Sequence, residues 1–191
     1  TTTFFQVEAT YDPAPLSTGA VLYLRVQTQD NVGNWSAWAT LFELRYDNAV
    51  PTNPARPADP QCEAVDGVWQ STCSDPDFTW AGAVDAESGV AGYEVYWGAN
   101  ADGTSTDYQA APSYNPEAVS SGETHYLRVR TEDAAGNWSD WVTLFEFKYD
   151  STAPSSPSSV DPQCAASDGV WQDACSDPSF TWSGAADSAS G

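Results

Sequence analysis

The chain has 191 residues, with 27 Asp and Glu against 6 Lys and Arg, and a formal net charge of -21. Such a charge argues against nucleic acid or anionic lipid as a partner, because both require a cationic surface, and no apolar run is long enough to insert into a membrane. Hydrophobic residues at 41% and aromatics at 13% are enough to build cores, so a disordered chain is excluded and the length has room for one to two sandwich domains.

The first patterned stretch puts Leu22, Leu24 and Val26 on one face of a strand and Tyr23, Arg25 and Gln27 on the other. It breaks at Asp30-Asn31-Val32-Gly33-Asn34, whose Asp, Gly and Asn supply turn-capping side chains and a residue tolerant of positive φ. Trp35 and Trp38 follow, and a return strand brings Phe42, Leu44 and Tyr46 to one face. Next comes a proline-rich linker over 51–57, read as an extended, semi-rigid spacer. Cys62 and Cys73 bracket Asp66-Gly67, a strong hairpin signal, so the segment is expected to fold back and join its two sulfurs. Close C-x-x-C spacing is absent and the chain has one histidine, which disfavours zinc. Phe78-Thr79-Trp80 reads as a strand, followed by an acidic loop over 85–89 and a strand with Tyr93, Val95 and Trp97 inward. Weaker strands are expected over 106–110 and 117–120.

From residue 126 the opening pattern returns. Leu127, Val129 and Thr131 alternate with Tyr126, Arg128 and Arg130, the turn recurs at Asp133 to Asn137, and Trp138 and Trp141 precede the return strand with Phe145, Phe147 and Tyr149 on one face. A second linker contains Pro154 and Pro157, then Cys164 and Cys175 bracket Asp168-Gly169, and Phe180-Thr181-Trp182 repeats the earlier strand. Hence a second disulfide, Cys164 with Cys175, is expected, and both disulfides imply an extracellular or periplasmic location. Tyr126 follows Tyr23 by 103 residues and Cys164 follows Cys62 by 102, so the chain is a repeat with one complete unit. The expected division is the C-terminal part of a first sandwich over 1–50, a complete sandwich over 51–150, and the N-terminal part of a third over 151–191. Thr1 aligns with Thr104 and Gly191 with Gly89, which reads as a window on a longer chain or polymer of stacked repeats. End halves could also join between molecules, but the stretch over 90–103 occurs only once, so a joined pair would lack one strand.

Of the six cations, Arg25, Arg45, Arg128, Arg130 and Lys148 sit on these paired strands. The outward arginines Arg25, Arg128 and Arg130 are therefore expected to stack with Trp35, Trp38, Trp138 and Trp141 in a ladder. Tyr126-Leu127-Arg128-Val129-Arg130 followed by Gly136-Asn137-Trp138-Ser139-Asp140-Trp141 resembles the F strand and F to G region of fibronectin type III and related bacterial Ig-like domains. It is also similar to the Trp-Ser-x-Trp-Ser box of cytokine receptors, with Val142 or Ala39 in place of the final Ser. The resemblance implies an all-β fold of tandem seven-strand antiparallel sandwiches in an extracellular surface or filament protein, as seven short strands at this spacing also suggest.

No catalytic constellation repeats, and His125 has Leu22 as its counterpart, so no enzyme is expected. Asp85, Glu87, Glu132, Asp133 and Asn137 fall on loops expected at one pole and offer the hard oxygens that calcium prefers; turn capping accounts for the same residues. Asn34 and Asn137 lie in N-glycosylation triplets, again at capping positions, and the Ser, Thr and Pro of 151–159 suit O-linked sugar. Trp69 and Trp171 are either flat platforms for sugar rings or packing residues at a domain interface. The expected role is a non-catalytic scaffold or adhesion segment whose partners are neighbouring repeats, surface polysaccharide or another cell. An accessory carbohydrate-binding module of a secreted polysaccharide-degrading enzyme is the alternative.

Overall fold

The computed structural model describes residues 5–164 and 166–191; the start of the first repeat portion, residues 1–4, lies outside them. The described residues contain strands and no helix. In chain order these are β1 (Ala20–Val26), β2 (Ala39–Tyr46), β3 (Trp69–Gln70), β4 (Phe78–Thr79), β5 (Val90–Gly98), β6 (Tyr108–Gln109), β7 (Ser113–Tyr114), β8 (Glu123–Asp133), β9 (Val142–Tyr149), β10 (Ser159–Asp161) and β11 (Thr181–Ser183).

β8 shows how the alternation becomes structure. Leu127, Val129 and Thr131 are fully buried, whereas Tyr126, Arg128 and Arg130 are half-buried on the opposite face. β8 pairs antiparallel with β5 on one side and β9 on the other, and the full sheet runs β3-β9-β8-β5-β6. Against it lies the two-stranded sheet β4-β7. Phe78 of β4 joins the two layers, its ring centroid 5.3 Å from those of Trp97 and Phe145 and 6.3 Å from that of Phe147. The result is β-sandwich-like, and every buried apolar residue of its core lies between Ala58 and Phe147. Leu144 is buried beside Phe145 because the β8-β9 register shifts between Leu127 and Arg128, a bulge that turns one extra side chain inward. The same shift recurs between Leu24 and Arg25 in the β1-β2 pair.

Three expectations need correction. No strand forms over 117–120; instead Ser113–Tyr114 pairs with Phe78–Thr79, and the strand expected over 106–110 shrinks to Tyr108–Gln109. The Asp66-Gly67 turn exists, yet the bracketed segment is not a hairpin. Its residues Trp69–Gln70 add to the sheet edge in parallel with β9, because that edge offers unpaired groups and its neighbours fix the approach. The Glu146 amide donates to Asp66 Oδ1 at 2.6 Å, and the Gly67 amide donates to the Glu146 carbonyl at 2.9 Å. Finally, the inward faces of the outer pairs are not covered. Leu24 and Phe42 are 37% and 59% exposed, and Phe180 is 53% exposed.

Both disulfides, Cys62–Cys73 and Cys164–Cys175, are formed, each closing a sequence separation of 11. They suggest an oxidising, extracellular environment. In the chain-entropy argument a loop of that size contributes about 3 kcal/mol. Cys62 and Cys73 pack against the main core, so replacing both with serine is expected to lower the denaturation midpoint of the central sandwich measurably. The paired change at Cys164 and Cys175, with no core around it, is expected to leave that transition in place.

Candidate functional site

The ladder forms on the outer face of β8. The Arg130 guanidinium carbon lies 4.5 Å from the Trp138 ring centroid and 5.6 Å from that of Trp141, and the Arg128 guanidinium carbon lies 6.0 Å from that of Trp141. Tryptophan and arginine therefore alternate. Arg130 is further fixed by Glu94 of β5, with Nε and Nη2 at 2.7 and 2.6 Å from Oε2. In the first pair of strands only Arg25 over Trp38 at 5.9 Å remains. Gln27 stands where Arg130 would, so Trp35 has no guanidinium and meets Phe5 edge-on at 6.1 Å instead.

The second constellation is a junction, and it occurs twice. At the end of β2, the Gly19 amide donates to the Tyr46 carbonyl at 2.9 Å, the Asn48 amide to Thr18 Oγ1 at 3.2 Å, and Thr18 Oγ1 and the Ala49 amide both to Asp47 Oδ1 at 2.9 Å. At the end of β9 the counterparts follow: the Gly122 amide to the Tyr149 carbonyl at 2.8 Å, the Ser151 amide to Ser121 Oγ at 2.9 Å, and Ser121 Oγ and the Thr152 amide to Asp150 Oδ1 at 2.9 Å. The linker residue beyond each then binds the next acidic loop, Thr52 to the Val84 carbonyl at 2.9 Å and Ser155 to the Ala186 carbonyl at 2.8 Å. Each aspartate also faces that loop. Ser190 donates its amide to Asp150 Oδ2 at 3.2 Å, whereas Ser88, its counterpart, donates its amide to Asp85 Oδ1 at 2.8 Å and leaves Asp47 Oδ2 without that bond.

The turn after β8 closes the junction from the other side. Asn137 Nδ2 donates to the Asp47 carbonyl at 3.3 Å. Asn53 in the linker accepts from Thr131 Oγ1 at 3.0 Å and Ser139 Oγ at 2.8 Å and donates to the Asp140 carbonyl at 2.7 Å.

These contacts reassign the acidic residues read from sequence. Asp133 is buried and caps its own turn, accepting from the amides of Ala135 and Asn137 at 2.9 and 2.8 Å and from Asn137 Nδ2 at 2.8 Å. That leaves the Asn137 side-chain nitrogen engaged twice, and the exposed Asn34 donates to Asp30 at 2.8 Å. Glu132 lies beside Tyr108. Asp85 Oδ1 caps its loop through the amides of Glu87, Ser88 and Gly89. Among the described residues the carboxylates that do converge are Asp85, Glu87 and Asp47, with ligand oxygens within 4.8 Å of one another. Asp47 Oδ2 is buried there without a hydrogen-bond partner. Asp47 was not legible because it looks like any capping aspartate at a strand end.

Trp69 and Trp171 do not form matched platforms. Trp69 is half-buried at the sheet edge opposite Lys148, whereas Trp171 is 99% exposed because no strand pairs with it. His125 is a half-buried strand residue tilted against Trp97 at 5.1 Å.

Asp150 is pulled from its ordinary 3.8 to about 2, first by the Thr152 amide and then by Ser190 and Ser121. A lowered carboxylate pKa stabilises the folded contacts at any pH above the ordinary value, and that contribution is lost as pH falls through the folded one. The second junction is therefore expected to hold down to about pH 4 and to loosen between pH 4 and pH 2. Hydrogen exchange at the Thr152 and Ser190 amides over that range is the measurement. In Asp150→Asn those amides are expected to exchange faster at neutral pH and to lose the acid-dependent step.

No family model matches the chain. No curated protein matches it either.

Proposed function

We propose that this chain is a non-catalytic structural segment of an extracellular fibre, stalk or filament, made of tandem Ig-like units of the fibronectin type III-like kind and serving a scaffold or adhesion role. The order β5-β8-β9 corresponds to the C-F-G side of such a sandwich. The carrying observation is the junction, in which the bonds made by Thr18, Gly19, Asn48, Ala49 and Thr52 around the end of β2 recur with Ser121, Gly122, Ser151, Thr152 and Ser155 around the end of β9. A hydrogen-bonded linkage repeated with one geometry sets one angle between successive units, and that is what a regular rod needs and a free-standing binding module does not. Its partners are then neighbouring units of the same chain or polymer.

Electron microscopy of native material tests this, with a long filament repeating roughly every 35 to 40 Å expected if sandwich strands run along it. A compact particle overturns the reading. So does retention on insoluble polysaccharide that Trp171→Ala abolishes, which would favour the accessory module.

Calcium at the first junction is a second component of the proposal, favoured by the orphaned Asp47 Oδ2 among three carboxylates. Asp47, Asp85 and Glu87 would hold the ion, which relieves their mutual repulsion. At the second junction Ala189 replaces Glu87, leaving Asp150 and Asp187. Addition of about 1 mM Ca²⁺ is expected to raise the melting temperature of the wild-type chain and not of Glu87→Ala. An equal rise in both would remove calcium from this site.

A further inference from the structure

The chain's one histidine, His125, lies on the face of β8 that Leu127 and Val129 turn to the core. It stands opposite Phe147 of β9, its ring is 5.1 Å from that of Trp97 of β5, and its side chain is 20% exposed. At the matching position of β1 is Leu22, which fills the same place with no polar atom. His125 instead buries Nδ1 without a hydrogen-bond partner, a state that costs free energy and calls for a reason. Oε2 of Glu123, on the same strand and face, is 4.0 Å from Nδ1, beyond hydrogen-bonding distance. With the hydrogen of the neutral ring on Nε2, both atoms are acceptors and nothing draws them together. A second proton makes Nδ1 a donor, and the gap then closes to a charge-assisted bond.

We propose that His125 is a proton-operated latch, which on mild acidification draws in Glu123 and fixes the turn of residues 120–122 that anchors the second junction. Glu123 already belongs to that turn: its Oε2 accepts from the Ser120 amide at 3.2 Å, and its own amide donates to the Ser120 carbonyl at 3.3 Å. Its side chain is 49% exposed, so it is free to move the short distance to Nδ1. Inside the turn, Ser121 Oγ donates to Asp150 Oδ1 at 2.9 Å, meets Thr152 Oγ1 at 2.8 Å and accepts from the Ser151 amide at 2.9 Å. Pinning the Glu123 carboxylate from both sides therefore takes freedom from the turn whose serine holds the end of β9 to the linker. The step from turn to joint rests on the reading of that joint as the linkage between units; the proton contact itself does not.

Among the described residues, Glu123 is the one carboxylate within 4.0 Å of the His125 ring nitrogens. On β9, Phe147 faces the ring between Glu146 and Lys148, which pair with each other at 2.9 Å, and Tyr149 stands across from Glu123. On β5 the facing residue is Trp97, and that strand's one carboxylate, Glu94, is taken by Arg130. β4 brings Phe78 against Trp97 and Phe147, without charge. The imidazolium is thus answered by Glu123 and by the face of the Trp97 indole, 30° from parallel. The bond exists only while the ring holds its second proton, so it forms as pH falls through the histidine range, about pH 8 to 5, and is lost as pH rises. That interval lies above the one, about pH 4 to 2, in which protonation of Asp150 loosens the same joint. The first junction has no such device. Leu22 and Ala20 occupy the positions of His125 and Glu123, although the turn keeps its bond from the Ala20 amide to the Ser17 carbonyl at 3.2 Å.

Amide hydrogen exchange of the full chain at about pH 7.5 and about pH 5.5, with each rate taken relative to that of an unstructured peptide at the same pH, decides it. Protection at the Ser120 and Ser151 amides is expected to rise about threefold on acidification, the scale of a partly exposed ion pair. The Gly19 and Ala20 amides of the first turn should stay level. In His125→Leu, which copies the first repeat, and in Glu123→Gln, which keeps an acceptor for the Ser120 amide, the rise is expected to vanish. The melting transition of the central sandwich checks that each variant is folded. Because the chain has one histidine, its imidazole signal in the NMR spectrum should change over the same pH interval as the protection. Flat protection in the wild type, a rise that persists in either variant, or a rise at Ser120 with none at Ser151 overturns the proposal. A compact native particle under the electron microscope would remove the fibre reading and leave these rates as they are.

Discussion

Replacing Phe78 with alanine is expected to destabilise the central sandwich by about 3 to 5 kcal/mol, the range for truncating a large buried aromatic. Phe78 has no exposed surface, and the three rings around it, Trp97, Phe145 and Phe147, are tilted or edge-on to it. Those rings belong to β5 and β9, whose backbones are held by the ladders of the five-stranded sheet, so the walls of the cavity have little freedom to close. The cost should thus lie toward the upper end of the range. Phe180→Ala supplies the control within the same molecule. Its side chain is half exposed, so its effect on unfolding should stay within about 0.5 kcal/mol. Equilibrium denaturation with unchanged slope is the measurement, and a loss below about 1 kcal/mol at Phe78 would mean that β4 does not clamp the two layers.

What the sequence made legible was local. The alternation of β8, the return strand and the tryptophan pair lie within 25 residues, so period and spacing alone indicate which side chains share a face. The cysteine pairs were legible for the same reason, each closing a short loop. The parallel placement of Trp69–Gln70 was not, because two residues have no period and Asp-Gly signals a hairpin whether or not a neighbouring sheet edge competes for the strand. Nor was Leu144, since a bulge breaks the alternation that makes inward positions readable. The junction escaped for a further reason. Asp47, Ser88, Asn53 and Asn137 come from four separate places in the chain, and each has an ordinary local explanation as a cap or linker residue. Only the recurrence of the Asp47 bonds at Asp150 separates a linkage from a set of caps.

Arg130→Ala is the second large expected effect, about 3 kcal/mol, and it tests the ladder and its link to the junction together. Glu94 is buried at 8% exposure with Arg130 as its cationic partner, so removing the guanidinium strands a carboxylate in the sheet. Two stacking contacts go with it, each contributing about 0.5 to 1 kcal/mol. Arg130→Lys separates the terms: it keeps a positive charge for Glu94 and loses the planar stacking, so about 1 to 2 kcal/mol should be lost. Adding Glu94→Leu to Arg130→Ala should return part of the loss, since no charge is then buried unpaired. Gln27 already occupies this position in the first pair, where Trp35 is left without a cation and half exposed, which is the arrangement expected around Trp138 in the variant. Trp138 adjoins Asn137, whose amide reaches the Asp47 carbonyl, and Ser139, which holds Asn53. The same substitution should therefore speed hydrogen exchange in the turn after β8 and at the Asn53 side of the junction. If stability falls while exchange at those sites is unchanged, the ladder stiffens its own sheet and plays no part in setting one unit against the next.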